Sequence, residues 1–194
     1  MIAKARLDAL TDGVFAVAMT LLALDLRLPE NLRSGGSQEL IDTLRELASG
    51  PFVAYAISFF VIGWRWRTVS RLGGTRAHVG EGFGRWSLVH LFFITLMPFS
   101  TMVAGRHIDL APAIWLYAAN TILAAAAAYR LVRASQAEED TGQASETNLA
   151  MQLLIGIALV SIAISLFSPR LAMWSYALSL LMPSLTRWRR RTAG

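Results

Sequence analysis

Charged side chains stand at both ends of an otherwise apolar stretch, RLDALTDGVFAVAMTLLALDLRL, which begins at Arg6. Asp8 and Asp12 lie near its start, and Asp25 and Arg27 lie near its end. A helix that spans a bilayer needs about 20 mostly apolar residues. An ionised side chain near the bilayer centre costs roughly 2.5–3.5 kcal/mol, so it normally faces protein or water. Because Asp12 would lie about 9 Å along the helix from Arg6, we expect it to need a partner.

One face of this predicted helix carries residues at alternating spacings of three and four: Leu10, Gly13, Val17, Thr20 and Leu24. This is the period of a helix seam that packs around an axis. Several copies around one axis would form a narrow tube in which apolar rings gate by dewetting and a ring of hydroxyl oxygens helps to coordinate an ion. The alternative is ordinary helix packing, with the Thr20 hydroxyl bonded back to the carbonyl of Ala16.

Signatures of other chemistry are absent from the sequence. There are no cysteines, which excludes disulfides, cysteine metal sites and cysteine nucleophiles. His78, His90 and His107 have no metal-ligand spacing. Neither a phosphate-binding loop nor a serine elbow occurs, and the TVGYG filter of ordinary potassium channels is missing. We therefore expect no enzyme, no cofactor and no bound metal beyond a permeating ion.

The composition indicates an integral membrane protein. Of 194 residues, 55% are hydrophobic and only 16% are charged, against about 25% charged in typical soluble domains. Apolar runs predict an all-α protein with six transmembrane helices in one domain, residues 1–194. The predicted spans are 6–28, 51–72, 86–104, 111–132, 149–167 and 170–185.

Basic residues predict the orientation. With the N-terminus inside, most Lys and Arg fall on the cytoplasmic side, as the positive-inside rule requires. Six spans then place both termini in the cytoplasm of a multi-pass protein of the cell membrane. Membrane topology and anionic lipid explain the basic C-terminal RWRRR, so we expect no nucleic-acid partner.

Three local features refine this plan. Residues 37–47 predict a short amphipathic helix capped by Ser37, lying on the membrane surface, over the mouth of an assembly, or simply in solvent. The second span ends in Trp-Arg-Trp-Arg at 64–67, which is typical of a membrane interface. Pro98 predicts a kink in the third span, with Ser100 and Thr101 helping to satisfy freed backbone groups.

The start of the first span resembles a known family signature. Arg6 is followed by Leu10-Thr11-Asp12, which is similar to the Arg-x-x-x-Phe-Ser-Asp motif of the bacterial transmembrane protein 175 potassium channels, with Leu10 and Thr11 in place of Phe and Ser. The sequence LMPFST at 96–101 also resembles the family's Leu-Leu-Pro-Phe-x-Thr stretch.

The resemblance implies a homotetramer of six-helix subunits whose first helices line a central pore for potassium. Aligned on Asp12, the constriction falls on Val17, the threonine selectivity layer on Thr20 and a second apolar ring on Leu24. These positions coincide with the seam. In the family the Arg and Asp of the motif are structural, so the resemblance implies a supporting network of Arg6, Thr11 and Asp12.

One departure concerns the second span. Family members usually carry a His pair after a Trp near its end, whereas this chain has Arg67 and Thr68 after Trp66 and no His pair. We hypothesise that His90 completes the network instead, since it lies about as deep as Asp12. The alternative is a His90 that bonds a backbone carbonyl.

The sequence thus predicts a potassium-permeable cation channel, with Asp25 and Glu30 raising the cation concentration at the outer mouth. Two other functions remain open. One is a proton-leak or proton-coupled pathway through Asp12 and His90, and the other is a non-conducting membrane assembly whose seam only packs helices.

Overall fold

The computed structural model describes residues 2–29, 36–72, 74, 76–136 and 143–176. These residues are mostly helical. The helices are α1 (Lys4–Leu22), α2 (Ser37–Ser49), α3 (Pro51–Val69), α4 (Glu81–Thr95), α5 (Met97–Arg106), α6 (Ala111–Gln136), α7 (Gln143–Ser165) and α8 (Pro169–Ser175). A 3-10 turn, Ala23–Asp25, extends α1. Strands β1 (Ile2–Ala3) and β2 (His78–Val79) pair antiparallel and tie the N-terminus to the α3–α4 connection.

Four segments of the described chain are long and apolar enough to cross a membrane: Lys4–Asp25, Ser37–Val69, Glu81–Arg106 and Ala111–Ser135. They correspond to the first four predicted spans. A shorter apolar helix, Met151–Ser165, corresponds to part of the fifth predicted span. The predicted sixth span, 170–185, begins within α8 and continues outside the described residues. The basic tail also lies outside the described residues.

The core lies between α1, α3, α4, α5 and α6. Phe15, Ala18 and Leu22 of α1 pack with Ile62 of α3 and Ile94 of α4. Helix α6 packs against α4, α5 and α7, and small side chains along it allow that close approach. Most of these residues form one hydrophobic cluster, so α1 is held against its own subunit along one face.

The third predicted span is divided into two helices. Helix α4 ends at Thr95 and α5 begins at Met97, so Pro98 lies in the first turn of a new helix, where its missing N–H removes no bond. Ser100 donates to the carbonyl of Met97 at 3.1 Å, inside α5, and not to the carbonyl of residue 94 that faces Pro98, so its predicted backbone role is not shown. Thr101 instead donates to the Ser58 hydroxyl of α3 at 2.8 Å, so its predicted backbone role is wrong.

Asn120 of α6 performs part of that role. Its amide nitrogen lies 3.3 Å from the carbonyl oxygen of Phe93, in the last turn of α4, and 3.2 Å from the Ser100 hydroxyl. A side chain from another helix therefore supports the break between α4 and α5.

The amphipathic helix is present as α2, with a different start. Gly36 holds the N-cap position and no side chain caps the helix, so the predicted Ser37 cap is wrong. None of the residues of α2 is buried, and Leu40, Ile41 and Leu44 are exposed.

Candidate functional site

Helix α1 presents two different faces. Leu7, Thr11, Phe15, Ala18 and Leu22 recur every three or four residues and are buried against the rest of the subunit. Residues at this spacing share one side of a helix. The opposite face of α1 therefore points away from its own subunit.

That opposite face carries the predicted seam. The side chains of Leu10, Val17 and Leu24 are 46%, 56% and 52% exposed. Thr20 is also exposed, and a Cβ added at Gly13 would meet nothing within 4 Å. A transmembrane helix with an open, largely apolar face can contact lipid, another subunit or a pore. The packing within one subunit leaves all five seam positions available for such a contact.

The Thr20 hydroxyl bonds the backbone of its own helix. It donates to the carbonyl of Val17 at 2.8 Å. A bond back to the helix was therefore predicted correctly, but its acceptor is Val17 and not Ala16. Because the hydroxyl proton is committed to that carbonyl, the lone pairs of the oxygen stay available as acceptors. An oxygen in this state can contact a cation.

Asp12 has a partner from α3. Its carboxylate accepts a hydrogen bond from the indole Nε1 of Trp66 at 2.8 Å. Thr11 is buried, and its hydroxyl donates to the carbonyl of Leu7 at 2.8 Å within α1. Arg6 is exposed. The structure therefore satisfies Asp12 through a tryptophan and does not gather Arg6, Thr11 and Asp12 into one hydrogen-bonded network.

His90 lies elsewhere. It is fully buried, and its Nδ1 lies 2.9 Å from the carbonyl oxygen of Ala124 on α6. A carbonyl only accepts, so Nδ1 carries the hydrogen and a neutral ring leaves Nε2 as an acceptor. Nε2 has no partner among the described residues. The hypothesis that His90 completes the Asp12 network is therefore not supported, and the structure shows the backbone-bonded alternative.

Arg65 is the unexpected residue of α3. It is completely buried and donates from Nη2 to the carbonyl of Thr121 at 2.8 Å. Its Nε and Nη1 have no hydrogen-bond partner within the described chain. Arg65 therefore points into the protein, whereas Trp66 and Arg67 beside it are exposed; the membrane interface at residues 64–67 stays a prediction.

Arg65 and His90 bind successive turns of α6. Their acceptors, Thr121 and Ala124, are three residues or about 4.5 Å apart along the helix. Together they tie α3 and α4 to α6, behind the helix that carries the seam.

The C-terminal end of α1 carries an ion pair. Oδ1 of Asp25 lies 2.8 Å from Nε and 2.7 Å from Nη2 of Arg106, which ends α5. Arg27 donates from Nε to the carbonyl of Leu24 at 2.6 Å and so satisfies a terminal carbonyl of the helix. Pairing with the Arg106 guanidinium weakens the attraction that Asp25 can exert on cations, so the predicted rise in cation concentration stays untested. Glu30 lies outside the described residues.

Two cavities adjoin α1. One, of about 130 Å³, lies near Asp8, Asp12, Ser70 and Ser87. The other, of about 620 Å³, lies at the C-terminal end of α1, and its lining includes both Asp25 and Arg106. Within the described ranges no group of three or more His, Cys, Asp or Glu side chains could hold a metal ion.

A second ion pair lines the cavity of about 620 Å³. Asp109 and Arg170 pair through both carboxylate oxygens, with Nη2 to Oδ2 at 3.0 Å. The Arg170 guanidinium keeps the pKa of Asp109 below its usual value, so the pair remains charged at neutral pH.

Sequence reasoning missed three supporting residues. Trp66 and Arg65 stood in a motif typical of an interface, and nothing in the sequence paired them with Asp12 or Thr121. Asn120 is a polar residue within an apolar run, which is the signal that could have identified it.

Comparisons with known proteins point to one family. Residues 6–98 match the family model described as endosomal/lysosomal potassium channel TMEM175. A protein named potassium channel from Chryseobacterium sp. (strain P1-3) is 28% identical over 178 residues, which cover 89% of this chain and 88% of that protein. A protein named potassium channel from Streptomyces collinus is 31% identical over 104 residues, 53% of this chain and about half of that protein, 48%.

A solved structure agrees with the sequence matches. The crystal structure of a TMEM175 homologue from Chamaesiphon minutus, described as a lysosomal potassium-selective channel, superposes with a TM-score of 0.78 at 25% identity. The match covers 92% of this chain and 95% of that one.

Proposed function

The chain belongs to the bacterial TMEM175-like family of ion channels, which are not enzymes, and from this premise we propose that it is a potassium-permeable cation channel of the cell membrane. In this proposal four subunits surround one pore, the α1 helices line it, and both termini are cytoplasmic. The relatives that are named potassium channels support potassium as the permeating ion. The several segments that are long and apolar enough to cross a membrane support a multi-pass protein.

The single observation that carries the pore assignment is the open face of α1. Val17 and Leu24 are more than half exposed, although they lie in the middle and at the end of a membrane-crossing helix whose other face is buried. Around a common axis these side chains would form two apolar rings. Apolar rings gate a pore by excluding water when they approach closely.

Thr20 would form a polar layer between the two rings. Its hydroxyl proton is held by the Val17 carbonyl, so the oxygen can turn a lone pair toward a dehydrated cation. This layer replaces the carbonyl filter that the sequence lacks.

Cation flux into liposomes tests the proposal. We expect potassium flux from wild type, higher flux from Val17→Asn because the ring holds water more readily, and weaker discrimination against sodium from Thr20→Ala. Ala16→Ser is the matched control, because it adds a hydroxyl to an exposed α1 position outside the seam and leaves flux unchanged. Silence of wild type and all variants, with an intact oligomer, would favour the non-conducting assembly. A reversal potential that follows the proton gradient would favour the proton pathway.

A further inference from the structure

The outer end of α1 is held by a side chain from another helix. Asp25 closes the 3-10 turn after α1, one residue beyond Leu24. Its side chain is only 14% exposed, and one of its carboxylate oxygens accepts from both Nε and Nη2 of Arg106. A planar guanidinium that binds through two nitrogens restricts its partner more than a single flexible contact does.

Arg106 lies next to a close backbone contact between the end of α5 and the start of α3. A Cβ added at Gly50 would lie 2.7 Å from the Gly105 carbonyl oxygen, and a Cβ added at Gly105 would lie 3.0 Å from Cα of Pro51. The two backbones therefore touch at the residue next to Arg106. The end of α5 cannot approach the start of α3 any further.

The space around the pair is open on one side. The cavity of about 620 Å³ is lined by Asp25, Arg106 and Gly50 among others. The turn Ala23–Asp25 has room to move into this cavity when nothing holds it.

We infer that Asp25 and Arg106 are a positioning pair that holds the outer end of α1 in place and thereby sets the position of the Leu24 side chain. This inference rests on the proposed pore for its effect on conduction. It assigns Asp25 a mechanical role at the outer mouth in place of electrostatic attraction of cations. Release of the pair lets the Leu24 end of the helix move, which alters the width of the outer apolar ring.

A spin label tests the positional part without any conduction. The chain has no cysteine, so Leu24→Cys provides a unique attachment site in this chain reconstituted in lipid. We expect a restrained label in the otherwise wild-type protein and a clearly more mobile label with Asp25→Asn or Arg106→Gln. The matched control is Asp109→Asn, because it breaks the Arg170 pair that lines the same cavity and leaves the label restrained. Equal label mobility in all these proteins would overturn the inference.

Flux measurements on the same substitutions without the label test the consequence. We expect Asp25→Asn and Arg106→Gln to change potassium flux by about threefold, the scale of a partly exposed ion pair, and Asp109→Asn to leave it unchanged. The exchanged pair, Asp25→Arg with Arg106→Asp, restores flux toward wild type. Altered flux that the exchange does not restore would overturn the pairing.

The two failures are distinguishable. If wild type conducts no potassium but the label becomes more mobile with Arg106→Gln, the proposed channel is refuted and the positioning pair is supported. A conducting wild type with a label that stays restrained would remove the pair and keep the channel. If Arg106→Gln does not fold, the isosteric Asp25→Asn carries the same test.

Discussion

Replacing Trp66 by Phe removes the one hydrogen bond that α3 gives to Asp12. The indole Nε1 donates to the carboxylate at 2.8 Å, and phenylalanine keeps an aromatic ring at the position without the donor. Trp115→Phe is a close control. Trp115 is also 42% exposed and also donates from Nε1, at 2.9 Å, but to the neutral Ser165 hydroxyl of α7.

The charge of the acceptor sets the expected difference. Hydrogen bonds to charged groups contribute roughly 1.5–3 kcal/mol, and neutral ones about 0.5–1.5 kcal/mol. Since the Asp12 bond is exposed, its contribution lies at the low end of that range. The loss of ring area is similar in the two variants and largely cancels. We therefore expect Trp66→Phe to lower the free energy of unfolding by about 0.5 kcal/mol more than Trp115→Phe does.

Thermal unfolding of the detergent-solubilised protein, followed by helical circular dichroism, measures this difference. For a chain of this size 1 kcal/mol corresponds to about 2–4 °C in Tm. Flux provides a second readout, because Trp66 is hydrogen-bonded to the proposed pore helix, whereas Trp115 is hydrogen-bonded to α7. We expect altered potassium flux with Trp66→Phe and unaltered flux with Trp115→Phe. A loss of stability in Trp115→Phe equal to or greater than that in Trp66→Phe would refute the reasoning.

Substitutions of Gly50 and Arg65 test the packing around α3. Gly50→Ala places a Cβ 2.7 Å from the Gly105 carbonyl oxygen, and we expect it to lower the free energy of unfolding by about 1–3 kcal/mol. Gly82→Ala is the control, because its Cβ meets nothing within 4 Å and costs no stability. Equal Tm values for the two variants would contradict the backbone contact. Arg65→Met removes an incompletely bonded buried charge and keeps a long side chain, so we expect stability unchanged or higher, while Arg65→Ala leaves a cavity and lowers Tm. A lower Tm for Arg65→Met than for wild type would show that the Thr121 bond outweighs the cost of burying the charge.

The seam of α1 was predictable because helical periodicity alone determines which residues share a face. Leu10, Val17 and Leu24 are exposed together and Phe15 and Ala18 are buried together, as spacings of three and four require. The family match adds the expected pore, and the threonine layer and constriction stay predictions. Their test needs neighbouring subunits, which the packing of one chain does not supply.

The supports of α1 were not predictable, because each joins residues that are distant in the sequence. Trp66 is 54 residues from Asp12, and Arg106 is 81 residues from Asp25. Burial of Arg65 depends on the position of the Thr121 carbonyl on α6. The neighbouring sequence does not show that the Arg65 side chain turns inward, because its acceptor lies on another helix.

Asp12 and Asp25 therefore have a common explanation. Asp12, near the middle of α1, is held by an indole from α3, and Asp25, just after its end, by a guanidinium from α5, so the aspartates attach the helix to its own subunit at two heights. Neither carboxylate lies on the seam, which begins at Leu10 and ends at Leu24. If the seam lines a pore, ions that pass along it meet apolar side chains and the Thr20 oxygen, and the charges of Asp12 and Asp25 act on conduction by holding that face in position.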